Sequence, residues 1–183
     1  MSSSNKDPNI REKFKQALHS TFKVISNDLK VDKKDKFIKK FNFPEIESLN
    51  TKSSFVKARA DMDSLALKKR FSNENIYKKN LPLNSSCKSL YSLTEKIRVE
   101  ALGGKMLKGI QKNFEENYYR VINLKKKDQL ESKDDVSINE AFELYMMKNF
   151  HDIKLNQLSK KMLSYWEKDF DISISKHINF LKE

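Results

Sequence analysis

Leu90-Tyr91-Ser92-Leu93-Thr94-Glu95-Lys96-Ile97-Arg98-Val99-Glu100-Ala101-Leu102-Gly103-Gly104-Lys105-Met106-Leu107-Lys108-Gly109-Ile110 decides how the chain folds. Leu90, Leu93, Ile97, Ala101, Gly104, Leu107 and Ile110 recur at spacings of three and four, the period of one helical face, and Phe114 and Tyr118 prolong the stripe. Beside it runs a second row, Val99, Leu102, Met106 and Gly109, so this helix is expected to be covered on more than one side and to be central. Another long helical pattern, capped by Ser53 or Ser54, holds Phe55, Met62, Leu65 and Ala66. A short turn at Leu81-Pro82-Leu83 joins the two, and the remainder of the chain is expected to pack onto this pair.

Gly103 and Gly104 sit within the first pattern, where each costs about 1 kcal/mol relative to Ala. A close crossing with another helix offsets such a cost. Gly104 and Gly109 also have the G-x-x-x-x-G spacing of a phosphate loop, but Ile110 and Gln111 follow, where Lys and then Ser or Thr are needed to reach phosphates and metal. Helix packing is therefore the expected role of the glycines.

Composition narrows the class. The 183 residues are 38% hydrophobic, enough for one sizeable core, and only three Gly and three Pro leave few tight turns for an all-β or α/β fold. The expected architecture is mostly α, about five to six helices in a single domain over residues 7–183, with residues 1–6 frayed. The lone Cys87 offers neither an internal disulfide nor a metal-ligand set, and suits a reducing cytoplasm. No run approaches the ~20 apolar residues of a membrane span, and the N-terminus lacks an apolar signal core, so a cytoplasmic location without membrane contact is expected. A net charge of +12 invites a nucleic-acid reading, yet the lysines are scattered over nearly every element and no row of Arg and aromatics emerges. An acidic protein partner explains the sign equally well.

Outward from the central pair, Asp7-Pro8 starts a helix whose face is Ile10, Phe14, Ala17, Leu18, Thr21, Phe22, Ile25 and Leu29. His19 lies beside that stripe with no companion ligands and reads as a boundary residue. Phe37, Phe41 and Phe43 alternate with polar residues, which with Val31 predicts a small β-hairpin appendage around Asp32-Lys33-Lys34-Asp35. Beyond Leu124 the polar run Lys125-Lys126-Lys127 to Asp135 interrupts the helices. Ser137 and Glu140 form a capping-box pattern for the next one, which breaks near His151-Asp152. Leu155, Leu158, Met162, Tyr165, Trp166 and Phe170 resume helical spacing, with Trp166 as a core anchor. Glu95 with Glu100, or Asp61 with Asp63, make no acid–base pair, because their spacings share no helical face and no His, nucleophile or metal set is nearby in sequence.

The run Arg59-Ala60-Asp61-Met62-Asp63-Ser64-Leu65-Ala66-Leu67-Lys68-Lys69-Arg70, followed by Arg98-Val99-Glu100-Ala101-Leu102-Gly103 and Met106-Leu107-Lys108-Gly109, resembles the N-terminal region of the aerobic cobaltochelatase T subunit family, CobT. Two details depart from that pattern. Met106 and Gly109 are one residue wider than the family's Met-x-Gly, and Phe71-Ser72 stand where a His pair is common. The resemblance implies a scaffold subunit working with an AAA+ ATPase subunit, CobS, and a large subunit, CobN. Together these insert Co²⁺ into hydrogenobyrinic acid a,c-diamide, using ATP and Mg²⁺, in aerobic cobalamin synthesis. It also implies an acidic linker and a von Willebrand A-type metal domain beyond this region, both expected to be absent here. Asp171-Ile172-Ser173-Ile174-Ser175 spells that domain's D-x-S-x-S, but such a site needs a strand end and further loops to complete the ion's oxygen shell.

No catalytic, cofactor-binding or metal-binding residue is therefore expected in this chain. Arg59, Asp61, Asp63, Arg98, Glu100, Gly103 and Gly104 are the expected helix-crossing or partner-docking residues. A buried ionic network among Arg59, Asp61, Arg98 and Glu100 is favoured over a docking face. Lys125, Lys126 and Lys127, at an exposed helix end, are expected to attract the acidic linker or an acidic face of the ATPase ring. The alternatives are a basic helical protein that binds nucleic acid and a regulatory adaptor of an AAA+ ATPase; self-association remains open.

Overall fold

The computed structural model describes residues 8–30, 51–125 and 130–182. These are mostly α: eight α-helices and one 3₁₀ turn, with no strand among the described residues. The hairpin expected between Val31 and Phe43, the frayed residues 1–6, Asp7, and Lys126 with Lys127 all lie outside the described residues. The chain groups into two compact units divided between Ser72 and Asn73. The two long patterns expected to form one pair are thereby divided between the units.

In the first unit α1 (Pro8–Ser26) packs on α2 (Lys52–Phe71). Pro8 opens α1 at the position where its missing N–H costs nothing. Leu18, Phe22 and Ile25 are the buried members of the expected face, whereas Ile10 and Leu29 are exposed. Thr51, rather than Ser53 or Ser54, caps α2, in a reciprocal box with Ser54. The Phe14 and Phe55 rings meet edge-on at 4.9 Å near both helix starts, while Arg70 Nη1 donates to Ile25 O at 3.1 Å near both ends. The helices therefore run parallel, and a guanidinium satisfies one of the carbonyls left over at the end of α1.

In the second unit α3 (Glu74–Lys79) leads into α4 (Ser85–Met106), which stops at Leu107, and α5 (Lys108–Leu124) begins directly after it. The stripe read as one helix from Leu90 to Tyr118 is thus two helices meeting at a one-residue corner. Leu107 is extended, at φ −140° and ψ 113°, and its N–H still bonds Gly103 O. All three glycines of the chain, Gly103, Gly104 and Gly109, lie within this corner and weaken helix continuity there. The expected second apolar row fails for the same reason: Val99 is buried, but Leu102 and Gly109 are exposed.

The central helix is instead α6 (Ile138–His151), which packs on α4, α5, α7 (Gln157–Ser164) and α8 (Glu167–Lys182). Ala141, Phe142, Leu144, Tyr145, Met146 and Met147 are all buried, so α6 is covered nearly all round. Ser137 stands at its N-cap but makes no side-chain cap bond, and the Glu140 carboxylate lies 3.5 Å from Lys125 Nζ. Trp166 is half-buried; its Nε1 donates to Val136 O at 3.1 Å and pins the loop that brings the chain from α5 into α6. Asn156 caps α7 through Ser159 N and donates to Ile122 O at 3.3 Å, tying α7 to the end of α5. Asp171, Ser173 and Ser175 lie within α8, and Asp171 accepts the Tyr145 hydroxyl, so the D-x-S-x-S sequence makes no strand-end ion site.

Candidate functional site

Where α4, α5 and α6 meet, the corner at Leu107 folds α5 back along α4 and brings Tyr118 to Glu100. The two are 18 residues apart, which in an unbroken helix is about 27 Å. Instead the Tyr118 hydroxyl donates to Glu100 Oε2, and Glu100 is 1% exposed. Lys96, one turn earlier on α4, puts Nζ 4.0 Å from Glu100 Oε1 and 5.7 Å from the Tyr118 ring centre.

The last residue of α6, His151, completes this cluster. Its ring packs against Tyr118 at 5.0 Å and Phe114 at 6.1 Å, and its Nε2 lies 3.8 Å from Glu100 Oε2, too far for a hydrogen bond. That nitrogen is buried with no hydrogen-bond partner. Burial first, then the Lys96 charge, push the imidazole down to about 4 against the opposing pull of Asp152, so His151 is neutral near pH 7. Asp152 ends α6 in the left-handed conformation at φ 51°, with its N–H on Met147 O.

A cleft of about 410 Å³ opens beside the cluster, between the last turns of α4 and α6, with Arg98, Gly104, Lys105, Gln111, His151 and Asp152 in its walls. Gly104 permits the approach of α5, because a Cβ there would meet Gln111 Cβ at 3.3 Å. Arg98 is gripped by Glu95 through two bonds, Nε–Oε2 at 2.7 Å and Nη2–Oε1 at 2.9 Å, and the carboxylate holds the guanidinium firmly charged.

The residues singled out from sequence fall in both units. Arg59, Asp61 and Asp63 lie in the first unit, and Arg98, Glu100, Gly103 and Gly104 in the second. Arg59 is exposed; Asp61 pairs with Lys57 at 2.8 Å; Asp63 is buried. Lys125 is mostly covered and paired with Glu140, so it is not an exposed docking lysine. Lys96, Tyr118 and His151 escaped sequence reading as a polar group. Their juxtaposition depends on the corner and on the direction of α6, which no local spacing records. Only the clustering of every glycine in seven residues marked the corner.

As chemistry, a buried carboxylate, a phenol and a neutral imidazole fix three helices in one arrangement. They surround no nucleophile. Among the described residues, no group of three or more His, Cys, Asp or Glu is placed to hold a metal ion. Gly104 and Gly109 lie in two helices and not in a loop, so they form no cradle for a nucleotide phosphate. No helix among the described residues is long and apolar enough to cross a membrane. A family model described as "Cobalamin biosynthesis protein CobT" matches residues 8–183. No solved structure matches the chain.

Proposed function

The chain belongs to the CobT family of cobalamin biosynthesis proteins, and from that premise we propose that it is an assembly module of the ATP-dependent cobaltochelatase that inserts Co²⁺ into hydrogenobyrinic acid a,c-diamide. The observation that carries this reading is the family match over nearly the whole chain. Consistent with it, Glu100 and Gly104, from the stretch that resembles the family, sit at helix–helix contacts, and Arg98 is paired with Glu95 on its own helix, rather than being arranged around a reacting group. In this reading Co²⁺ is the substrate, ATP and Mg²⁺ are used by the whole complex, and the partners of this chain are the AAA+ ATPase subunit, CobS, and the large subunit, CobN. This chain supplies a docking body.

Size-exclusion chromatography of the chain mixed with the ATPase and large subunits at moderate salt is the test. Co-elution with either is the expected result. Failure to co-elute, together with nucleic-acid binding whose affinity falls steeply with salt, overturns the reading in favour of a basic nucleic-acid binder. Co-elution with the ATPase subunit combined with unchanged cobalt insertion when the chain is omitted favours a regulatory adaptor instead.

A further inference from the structure

Residues Asn73 to Lys96 form a helical arm in which no side chain is buried. α3 has no buried residue, and those of α4 begin only at Ile97. Leu81, Leu90, Tyr91 and Leu93 are only half-buried, so short-range bonds carry much of what holds this segment in shape. Asn73 Oδ1 accepts from Asn75 N and Ile76 N at 3.0 and 3.1 Å, and Asn84 Oδ1 accepts from Ser86 N and Cys87 N at 2.9 and 3.2 Å. The Tyr77 and Ser92 hydroxyls are 2.7 Å apart, and the Tyr77 and Tyr91 rings pack at 5.1 Å, clamping α3 to α4. An element fixed this way before binding loses little conformational freedom when it docks.

The tip is apolar and basic. Leu83 is 95% exposed and Ile76 60% exposed. Glu74 is paired with Lys78 at 3.0 Å, which leaves Lys79 and Lys88 as the charges nearest the turn. A single exposed leucine is ordinary on a protein surface. This one crowns a pre-shaped segment that contributes no fully buried side chain.

We propose that this arm is a docking element, whose tip seats Leu83 in an apolar pocket rimmed by carboxylates on a partner protein. A second copy of the chain is a poor occupant, because it presents the same basic tip on a molecule of net charge +12. The inference rests on the assembly reading above and assigns the contact to one of the chelatase subunits.

Surface-captured ATPase and large subunits are titrated with the parent chain, Leu83→Ser, the double variant Lys79→Glu with Lys88→Glu, and Lys112→Glu on exposed α5 as control. Leu83→Ser is expected to weaken binding about tenfold or more, as loss of an anchor residue does. The double variant is expected to associate more slowly and with less salt dependence, and the control to bind like the parent. All should melt like the parent, because none of these side chains is in the core. Parent binding that survives both arm changes overturns the arm while leaving the assembly reading intact. Absence of parent binding overturns both. Leu83-dependent binding to phosphatidylserine vesicles, or Leu83-dependent dimers in sedimentation, also overturns it, by giving the tip to a lipid surface or to a second copy.

Discussion

His151 is a side chain whose chemistry its surroundings alter strongly. Its ordinary value of 6.5 applies to the unfolded chain and about 4 to the folded one. Above pH 6.5 neither state holds the proton and the contribution to stability is complete. Between pH 6.5 and about 4 the unfolded chain binds a proton that the folded chain refuses, so stability falls as the pH falls. A separation of about 2.5 pH units corresponds to about 3 kcal/mol. Denaturant midpoints measured from pH 7 to pH 4.5 should therefore drop for the parent and drop less for His151→Gln; equal slopes refute the assignment. Tyr118→Phe removes a donor from a buried carboxylate and should cost about 1–3 kcal/mol, against almost nothing for Tyr119→Phe, whose side chain is exposed. Glu100 was visible in sequence as a charged member of the run Arg98 to Gly103 that resembles the family. His151 looked like a helix end, which it is, and its burial could not be read without the direction of α6.

The helices themselves were largely legible, because 3.6-residue periodicity survives any arrangement of neighbours. Starts at Pro8 and Ser137, and ends at Leu124 and His151, fall where capping and charge signals put them. The corner at Leu107 was not legible from periodicity, since Gly104, Leu107 and Ile110 keep helical spacing across it; an apolar stripe says which residues face inward, not whether the axis reverses. Centrality was misjudged for the same reason: α6 is shorter than the quoted stretch but is the one surrounded on all sides. Gly104 makes the packing at the corner testable. With Gln111 Cβ only 3.3 Å from the place of a new Cβ, Gly104→Leu should overfill the contact and lower stability by about 1–3 kcal/mol. Lys112→Leu, on an exposed site, should stay within about 0.5 kcal/mol in the same thermal melts.

For the molecule as a whole, net charge says less than individual pairs. Lys125→Glu sets a second carboxylate against that of Glu140 and should lower stability by about 1 kcal/mol. Slower association in a variant that includes this change cannot be credited to docking without a folding control. Two compact units also raise the question of whether the chain unfolds in one step. Leu67→Ala and Leu144→Ala each empty a fully buried site and should cost about 2–5 kcal/mol. In hydrogen exchange, the first is expected to lower protection before Ser72 and the second after it, as separate cooperative blocks do; an equal loss across the chain in both variants means one block. The fold-back at Leu107 bears finally on oligomeric state. A Cβ added at Gly109 would meet nothing beyond its own helix within 4 Å, so Ala fits there and raises the helix preference of the corner by up to about 1 kcal/mol. Were α4 and α5 to run on as one rod, Tyr118 would reach only the Glu100 of another molecule, and the same buried bond would join two chains in an exchanged dimer. The glycines at the corner thus oppose an exchange of that kind.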